Sequence, residues 1–284
     1  MKNETGFLSV ASAGGGAQNK LFYQKWLPQE KPRAALLIAH GLAEHSGRYA
    51  DVAAFFVERG YAVYALDHIG HGQSDGIYGH VDSFSEYLSG VSELRALIGI
   101  EHPDASVVLT GHSMGGLISG LYLARQEQDF VAAILSGAAS STDDAPSGLL
   151  AVLLKIFSAI APKLGMQKLD ANGVSRDPKV VADYLADPLV YNGKLSARLI
   201  KELLAAIDRL GGEAAKITLP ILILHGADDG MVPARGSKTL FDKVGSKDKE
   251  LTIYPELFHE IFNEPERLKV LGQCADWLDQ RLPK

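Results

Sequence analysis

A single serine stands between two glycines where the chain is expected to pass from a strand to a helix. Residues 111–116 read GHSMGG; an apolar, β-branched run precedes them at 107–110, and a helix-like stretch of small residues and leucine follows at 117–125. In this context the pattern G-x-S-x-G forms a sharp turn that exposes the serine hydroxyl above the sheet. Glycines flank the serine because a side chain there would collide with the neighbouring strand or helix. The spacing therefore predicts Ser113 as a nucleophile.

A serine hydroxyl attacks a carbonyl only when a base removes its proton, and the base needs a group that orients it. Where a nucleophilic serine stands at a turn of this type, between a strand and a helix, the acid and the histidine follow it in chain order, each on a loop after a later strand. The apolar run 221–224 leads into HGADDGMVP, in which Asp229 is the predicted acid and Asp228 the alternative. The run 251–254 leads to His259, which is the predicted base.

Two backbone N–H groups are predicted to bind the oxyanion that forms during attack. Met114 directly follows the serine at the start of a helix, where the positive end of the helix dipole adds to its N–H. The second donor is expected from the loop after the apolar run 34–39, and the N–H of Leu42 is the natural candidate. Six other histidines are expected to pack or to make local hydrogen bonds: His45, His68, His71, His80, His112 and His225. No carboxylate or cysteine cluster completes a metal-ligand set around them, so no metal site is predicted.

The elements that must position these residues follow an alternating pattern. Short apolar runs alternate with helical patterns up to about residue 139, and the alternation resumes at residue 217. Such alternation predicts an α/β fold with a mostly parallel central sheet and helices on both faces. Between these parts only helix-like segments and loops are evident. We therefore predict a core made of residues 1–139 and 217–284, and a helical cap at 140–216 over the carboxyl ends of the strands.

Composition excludes several other classes of protein. The 284 residues are 46% hydrophobic and carry a net charge of −6 without a basic stripe, so no nucleic-acid surface is predicted. The single cysteine, Cys274, cannot form an internal disulfide and is expected to be a buried packing thiol. The first ten residues lack the apolar core of a secretion signal, which favours a cytoplasmic protein. The triple glycine at 14–16 is expected to be a turn, because no strand-to-helix step with Lys-Ser/Thr follows it.

Taken in order, the motifs resemble the monoacylglycerol lipase and lysophospholipase branch of the α/β-hydrolases over nearly the whole chain. The segments that carry the resemblance are HGLAEHSGRY (40–49), ALDHIGHGQSDG (65–76), GHSMGG, HGADDGMVP (225–233), FHEIFNEPER (258–267) and, inside the insertion, DYLADPL (183–189). The resemblance implies an α/β-hydrolase fold and a serine esterase. Its mechanism needs no metal and no organic cofactor.

The resemblance also implies roles for residues outside the triad. Glu44, Arg48 and Tyr184 match positions that place the glycerol or other alcohol part of the substrate. From the residues alone, Glu44 and Arg48 are equally well explained as an ion pair that fixes the loop, and Tyr184 as a core aromatic residue of the cap. Ala43 stands where the family usually has glycine; we expect it to narrow the oxyanion loop slightly and to leave the N–H of Leu42 in place.

The cap begins with a segment that is apolar nearly all round. Residues 148–164 read GLLAVLLKIFSAIAPKL, with Lys155 as the only charge before Lys163. One interpretation is a helix buried against the sheet; the other, which we favour, is a lid that lines an acyl tunnel and touches lipid or a micelle. The segment is too short to span a bilayer, so any membrane contact would be peripheral.

The predicted reaction is hydrolysis of single-chain acyl esters, above all monoacylglycerols to fatty acid and glycerol, through an acyl-enzyme. Lysophospholipase or general carboxylesterase activity is the alternative, and the sequence does not place Lys155, Lys163 or Lys168 at a phosphate group. A small-molecule receptor is the alternative from another class, because a fold does not fix a function. The expected partner is a lipid ester substrate, without nucleic acid; peripheral membrane contact and the choice between monomer and homodimer stay open.

Overall fold

Eight strands form one sheet in a computed structural model that describes residues 1–11, 18–141 and 147–282. The strand order is β1-β2-β4-β3-β5-β6-β9-β10; β1 and β2 run antiparallel to their neighbours, and the other pairs are parallel. The predicted α/β class with a mostly parallel sheet is therefore confirmed. The strands are β1 Lys2–Ala11, β2 Gln18–Leu27, β3 Ala34–Ala39, β4 Tyr61–Leu66, β5 Ser106–His112, β6 Ala132–Ser136, β9 Ile221–Gly226 and β10 Lys249–Tyr254. The predicted turn at the triple glycine lies outside the described residues.

Helices cover both faces of the sheet because its central strands are apolar on both sides. In β3, Ala35 and Leu37 pack into the core on one face, and Leu36 and Ile38 into the core on the other. The first face carries α2 (Ser85–Glu101) and α3 (Met114–Gln126), and the second carries α1 (Ala50–Val57) and α8 (Arg267–Asp279). Cys274 is buried in the second core, where burial raises the pKa of its thiol to about 12, so the predicted packing role is confirmed.

The segment between β6 and β9 leaves the sheet and returns to it, since these two strands pair directly with each other. Its described residues form three α-helices and a short antiparallel pair of strands that the sequence did not indicate. α7 (Arg235–Lys243) follows β9 in the core. The limits 140–216 stay a prediction. The inserted elements are α4 Gly148–Ile160, β7 Gly165–Lys168, α5 Pro178–Ala186, β8 Lys194–Ser196 and α6 Ala197–Glu213.

The first helix of the insertion packs on α6 and not on the sheet. Leu154 and Ser158 are its buried side chains among those described, and the carbonyl oxygen of Ser158 accepts hydrogen bonds from Arg198 of α6. Four apolar side chains of α4 are largely exposed: Leu150, Val152, Ile156 and Ile160. Burial of this helix against the sheet is therefore wrong as an interpretation, because α6 provides its buried contact and the opposite side is left open.

Candidate active site

Ser113 lies at the turn between β5 and α3 with a backbone conformation that serine rarely adopts. Its φ of 54° and ψ of −117° lie in a region that favours glycine. Three hydrogen bonds hold this conformation: the N–H of Ser113 donates to Ser136 (2.9 Å), and its carbonyl oxygen accepts from Leu117 and Ala139 (3.1 Å each). The backbone is therefore strained at the residue predicted to be the nucleophile, and its surroundings maintain the strain.

Glycine is required on both sides of this turn. A Cβ built on Gly111 would lie 2.3 Å from the carbonyl oxygen of Gly115. A Cβ on Gly115 would lie 2.0 Å from the carbonyl oxygen of Ala39, which ends the neighbouring strand β3. Real Cβ atoms do not approach oxygen so closely. The steric reason given for the flanking glycines is confirmed.

The predicted acid and base meet on two loops that follow neighbouring strands. Nδ1–H of His259, on the loop after β10, donates to Oδ2 of Asp229, on the loop after β9, at 2.6 Å. Both residues are buried. Asp228, the alternative acid, has an exposed side chain, and its N–H donates to the carbonyl oxygen of Leu257. The structure thus pairs His259 with Asp229 and turns Asp228 to solvent.

The pair shifts the pKa of each partner in the direction expected for an ion pair. Burial by itself would raise the pKa of Asp229, but hydrogen bonds from His225, His259 and the N–H of Val232 outweigh it and hold this pKa well below its usual range. Burial would lower the pKa of His259, but the hydrogen bond and charge of Asp229 raise it above the ordinary value. The geometry therefore favours a carboxylate next to an imidazole that readily accepts a proton.

Ser113 and His259 line one cavity of about 340 Å³. No hydrogen bond joins the hydroxyl of Ser113 to His259 in the part of the chain that the structure describes. Leu42 and Met114 line the same cavity, and within the described residues neither of their N–H groups donates a hydrogen bond. Both are therefore free to bind an oxygen of a ligand in the cavity.

The loop that carries Leu42 contains a strained residue of its own. Ala43 has a φ of 67°, in the left-handed region, which costs an L-residue about 1–2 kcal/mol and glycine almost nothing. The carbonyl oxygen of Ala43 accepts a hydrogen bond from the N–H of Tyr191 (2.8 Å), which connects this loop to the insertion. The departure from glycine at this position thus has a conformational cost.

A buried ion network links this loop to the histidine loop. Arg48 donates to Oε2 of Glu44 (2.8 Å) and, through both terminal nitrogens, to the two oxygens of Glu260 (2.6 and 2.7 Å). The other oxygen of Glu44 accepts from the N–H of Gly41 (2.6 Å) and the hydroxyl of Tyr49 (2.8 Å). The family resemblance implies a role for Glu44 and Arg48, whereas sequence analysis missed Glu260, whose only signal is its place next to His259.

Replacing Arg48 by methionine is expected to destabilise the protein by about 3–5 kcal/mol, because two buried carboxylates lose their shared partner. Ester hydrolysis should fall as well, since Glu44 also holds the N–H of Gly41 beside Leu42. Urea unfolding and initial rates measure the two effects. Arg267→Met, which removes a half-exposed guanidinium, is the matched control and should change stability little. A fully stable Arg48→Met protein would contradict the assigned network.

Part of the cavity wall comes from the insertion. Leu169, Val174, Tyr184, Leu203 and Ile207 add apolar side chains to it. None of the described residues of α4 lines the cavity, so the predicted tunnel role of that helix is wrong. The physical reason is that α6, which supplies Leu203 and Ile207, contacts both the cavity and α4. Lys168 lines the cavity, whereas Lys155 and Lys163 do not.

Four buried histidines are predicted to make the folded protein less stable at acid pH. Burial lowers the pKa of His40 and His68 and brings that of His71 and His112 to about 3. These rings therefore take up protons below pH 6.5 only when the chain unfolds. Stability should be full above pH 6.5 and fall below it, by up to about 1.4 kcal/mol per pH unit for each histidine. His259 acts in the opposite direction: because its pKa is raised, the folded protein binds this one proton more tightly than the unfolded chain does.

Chemical unfolding at pH 7.5, 6.5 and 5.5 measures this loss. His71→Asn is the matched variant, because it keeps a donor near the carbonyl oxygen of Ile69 and removes one titrating ring. As the pH is lowered from 7.5 to 5.5, we expect the free energy of unfolding of His71→Asn to fall less steeply than that of the wild type. Equal stability at all three pH values would contradict the prediction.

Among residues 1–11, 18–141 and 147–282, no helix has the length and apolar character of a membrane span. The same residues also contain no group of three or more His, Cys, Asp or Glu residues arranged to hold a metal ion.

Leu42 and the three predicted triad residues lie at the carboxyl ends of parallel strands, where a mostly parallel sheet places its ligand site. Leu42 follows β3, Ser113 follows β5, Asp229 follows β9 and His259 follows β10. With an insertion between β6 and β9 above this edge, the fold and site define the protein as an α/β-hydrolase.

Comparison with known proteins defines the family more narrowly. Residues 30–266 match the family model described as serine aminopeptidase, S33. A monoacylglycerol lipase of Mycolicibacterium smegmatis is 42% identical over 277 residues, which is 96% of this chain and 97% of that protein. Phospholipase YtpA of Bacillus subtilis is 31% identical and covers 88% of this chain and 97% of its own. The crystal structure of Paleococcus ferrophilus monoacylglycerol lipase superposes with a TM-score of 0.83 at 30% identity, covering 92% of this chain and 99% of that one. The chain therefore belongs to the family described as serine aminopeptidase, S33, and within the α/β-hydrolases to the monoacylglycerol lipase branch. It is a carboxylic ester hydrolase.

Proposed function

We propose that this protein hydrolyses monoacylglycerols to fatty acid and glycerol. The observation that carries the proposal is one cavity lined by Ser113, His259 and apolar side chains of the insertion. Its volume of about 340 Å³ lies at the lower end of the range for ligand pockets, which favours a single acyl chain over two or three. The 42% identity to a monoacylglycerol lipase supports the same substrate class.

In the proposed mechanism His259 removes the proton of Ser113 as the hydroxyl oxygen attacks the ester carbonyl. Asp229 orients the imidazole and stabilises its protonated form, and the N–H groups of Leu42 and Met114 bind the oxyanion. Protonated His259 gives its proton to the leaving glycerol oxygen, which leaves an acyl-enzyme. Water, deprotonated by His259, then attacks the acyl carbonyl; the bond to the Ser113 oxygen breaks, His259 returns the proton to that oxygen, and the fatty acid leaves. A serine hydroxyl rotates freely, and catalytic hydrogen bonds often form only when substrate is bound.

For the alcohol part of the substrate, we propose Tyr184 as the contact residue. Its ring is buried, lines the cavity and packs 4.7 Å from the guanidinium of Arg48. In the described part of the chain its hydroxyl makes no hydrogen bond, so it is free to bind a glycerol oxygen. Glu44 and Arg48 have their polar atoms engaged in the ion network, which favours the loop-fixing alternative for these two residues.

Lysophospholipid hydrolysis is the second candidate function, and Lys168 is the observation that favours it. Lys168 is part of the cavity wall, although Asp170, which also lines the cavity, reduces the net charge there. Under this candidate, Lys168→Met would selectively slow hydrolysis of an anionic lysophosphatidylglycerol. Lys163→Met, outside the cavity wall, is the matched control.

A substrate profile tests the proposal. Initial rates are measured for monoacylglycerols of increasing chain length, lysophosphatidylcholine, lysophosphatidylglycerol, diacylglycerols and triacylglycerols. Monoacylglycerols should give the highest kcat/KM. Faster hydrolysis of di- or triacylglycerols would overturn the single-chain proposal. A single slow turnover of p-nitrophenyl esters would instead indicate a receptor.

We further propose a cytoplasmic enzyme that touches membranes peripherally through α4. Exposed apolar side chains on one helix side favour contact with a lipid surface. Vesicle co-flotation tests this, with Ile156→Ser/Ile160→Ser expected to reduce binding. Leu268→Ser, which removes a 65% exposed leucine from α8, is the control and should have no effect. Equal binding by all three proteins would contradict the assignment.

A further inference from the structure

A second histidine touches the carboxylate of Asp229. His225 is the penultimate residue of β9 and is fully buried. Its Nε2 lies 3.0 Å from Oδ2 of Asp229 and 2.8 Å from the carbonyl oxygen of Val232. On the other side of the ring, Nδ1 lies 2.7 Å from the hydroxyl of Ser237. The ring does not line the substrate cavity.

These contacts fix which ring nitrogen carries the proton. The two oxygens that face Nε2, a carboxylate and a carbonyl, only accept hydrogen bonds. Nε2 of His225 must therefore be protonated and donate to Asp229 and Val232. A hydroxyl both donates and accepts, so Ser237 is able to donate to the unprotonated Nδ1. A neutral ring satisfies every contact.

His225 completes the set of donors around Asp229. Oδ1 accepts from the N–H groups of Met231 (2.8 Å) and Val232 (2.9 Å). Oδ2 accepts from Nδ1–H of His259 and shares the single Nε2–H of His225 with the carbonyl oxygen of Val232, a contact that helps to lower the pKa of Asp229. A carboxylate has about four acceptor sites, so each is occupied. The carboxylate cannot rotate without breaking at least one of these bonds.

We propose that His225 is a positioning residue for the triad, which holds Oδ2 of Asp229 with a neutral N–H and limits how strongly that oxygen binds the imidazolium of His259. This inference rests on the proposed hydrolase function. The hydrogen bond of His225 disperses part of the carboxylate charge. His259 consequently returns its proton more readily to the leaving alcohol than it would beside an unshared carboxylate.

The charged surroundings of His259 set the expected direction of change. The titratable groups that face it are Asp229, Glu260, Glu44 and His112, whose ring lies 4.7 Å away. Replacing residue 225 removes none of these four groups. Loss of the donor from His225 should therefore raise the pKa of His259 further, because Oδ2 of Asp229 then carries more charge.

Two substitutions separate the two sides of the ring. His225→Gln places an amide N–H near the position of Nε2 and keeps a donor for Asp229. His225→Asn places an amide oxygen near the position of Nδ1, keeps the contact with Ser237 and removes the donor. We expect the acid limb of kcat/KM to move upward by about half a pH unit or more in His225→Asn only, with kcat reduced and KM unchanged. His225→Gln should retain the wild-type profile.

A measurement on the wild type does not depend on how the variants fold. ¹⁵N NMR of the histidine rings between pH 6 and 8 should show His225 protonated at Nε2 and not at Nδ1. Protonation at Nδ1 would overturn the inference, as would a folded His225→Asn enzyme with the wild-type pH profile, or equal shifts in both variants. If wild-type enzyme hydrolyses no ester, the proposed function fails, and the NMR result still decides the hydrogen bond.

Discussion

Replacing Ser113 by alanine is expected to lower kcat/KM for monoacylglycerol hydrolysis by about 10⁴-fold or more. The alanine methyl cannot attack a carbonyl, and the N–H groups of Leu42 and Met114 are left to act alone. Because Ser113 makes no hydrogen bond to His259 in the described structure, loss of the hydroxyl should leave stability close to that of the wild type. Initial rates and thermal unfolding measure the two quantities.

Ser113→Gly is the matched variant that separates catalysis from strain. Glycine adopts the φ of 54° without penalty, so this variant should be as inactive as Ser113→Ala but more stable than it. Relief of a strained backbone is worth about 1–3 kcal/mol, less the greater freedom of glycine in the unfolded chain. An alanine variant that keeps substantial esterase activity would refute Ser113 as the nucleophile, and a glycine variant less stable than the alanine variant would refute the strain.

Replacing Asp229 by asparagine is expected to lower kcat by about 10⁴-fold, because an amide does not stabilise the imidazolium of His259 and favours the wrong tautomer of its ring. The asparagine amide would also place its NH₂ group opposite N–H groups that donate hydrogen bonds to the carboxylate in the wild type, so that donor would face donor. The side-chain nitrogen would face His259 and His225, or else the N–H groups of Met231 and Val232. Asp229→Asn should therefore be less stable as well.

Asp228→Asn is the control for this substitution. Its side chain is exposed one residue away on the same turn, so rates and unfolding should match those of the wild type. Comparable losses in both variants would show that the turn as a whole, and not the carboxylate of Asp229, supports activity. A dominant loss in Asp228→Asn would reverse the assignment of the acid.

Local spacing in the sequence was enough to predict the fold class and the tight turn at residue 113. Gly111 and Gly115 are required by backbone atoms within a few residues or on the adjacent strand, and alternation of apolar runs with helical patterns indicates a parallel sheet whatever the distant contacts are. The same local logic predicted the two loops that bring Asp229 and His259 together. It favoured Asp229 but left Asp228 as the alternative, because neighbouring loop residues differ only in the direction of their side chains.

Only the tertiary structure decided how distant side chains meet. Arg48 and Glu260 are 212 positions apart, and nothing in either segment shows that their charges pair. Helix α4 was read as the wall of a tunnel because it is apolar nearly all round, but α6 lies against the cavity in its place. From the sequence, His225 is expected only to pack or to make local hydrogen bonds, yet it faces Asp229 across a turn. Hydrophobic pattern determines which elements form, whereas loop direction and packing of one element on another depend on contacts that no local pattern encodes.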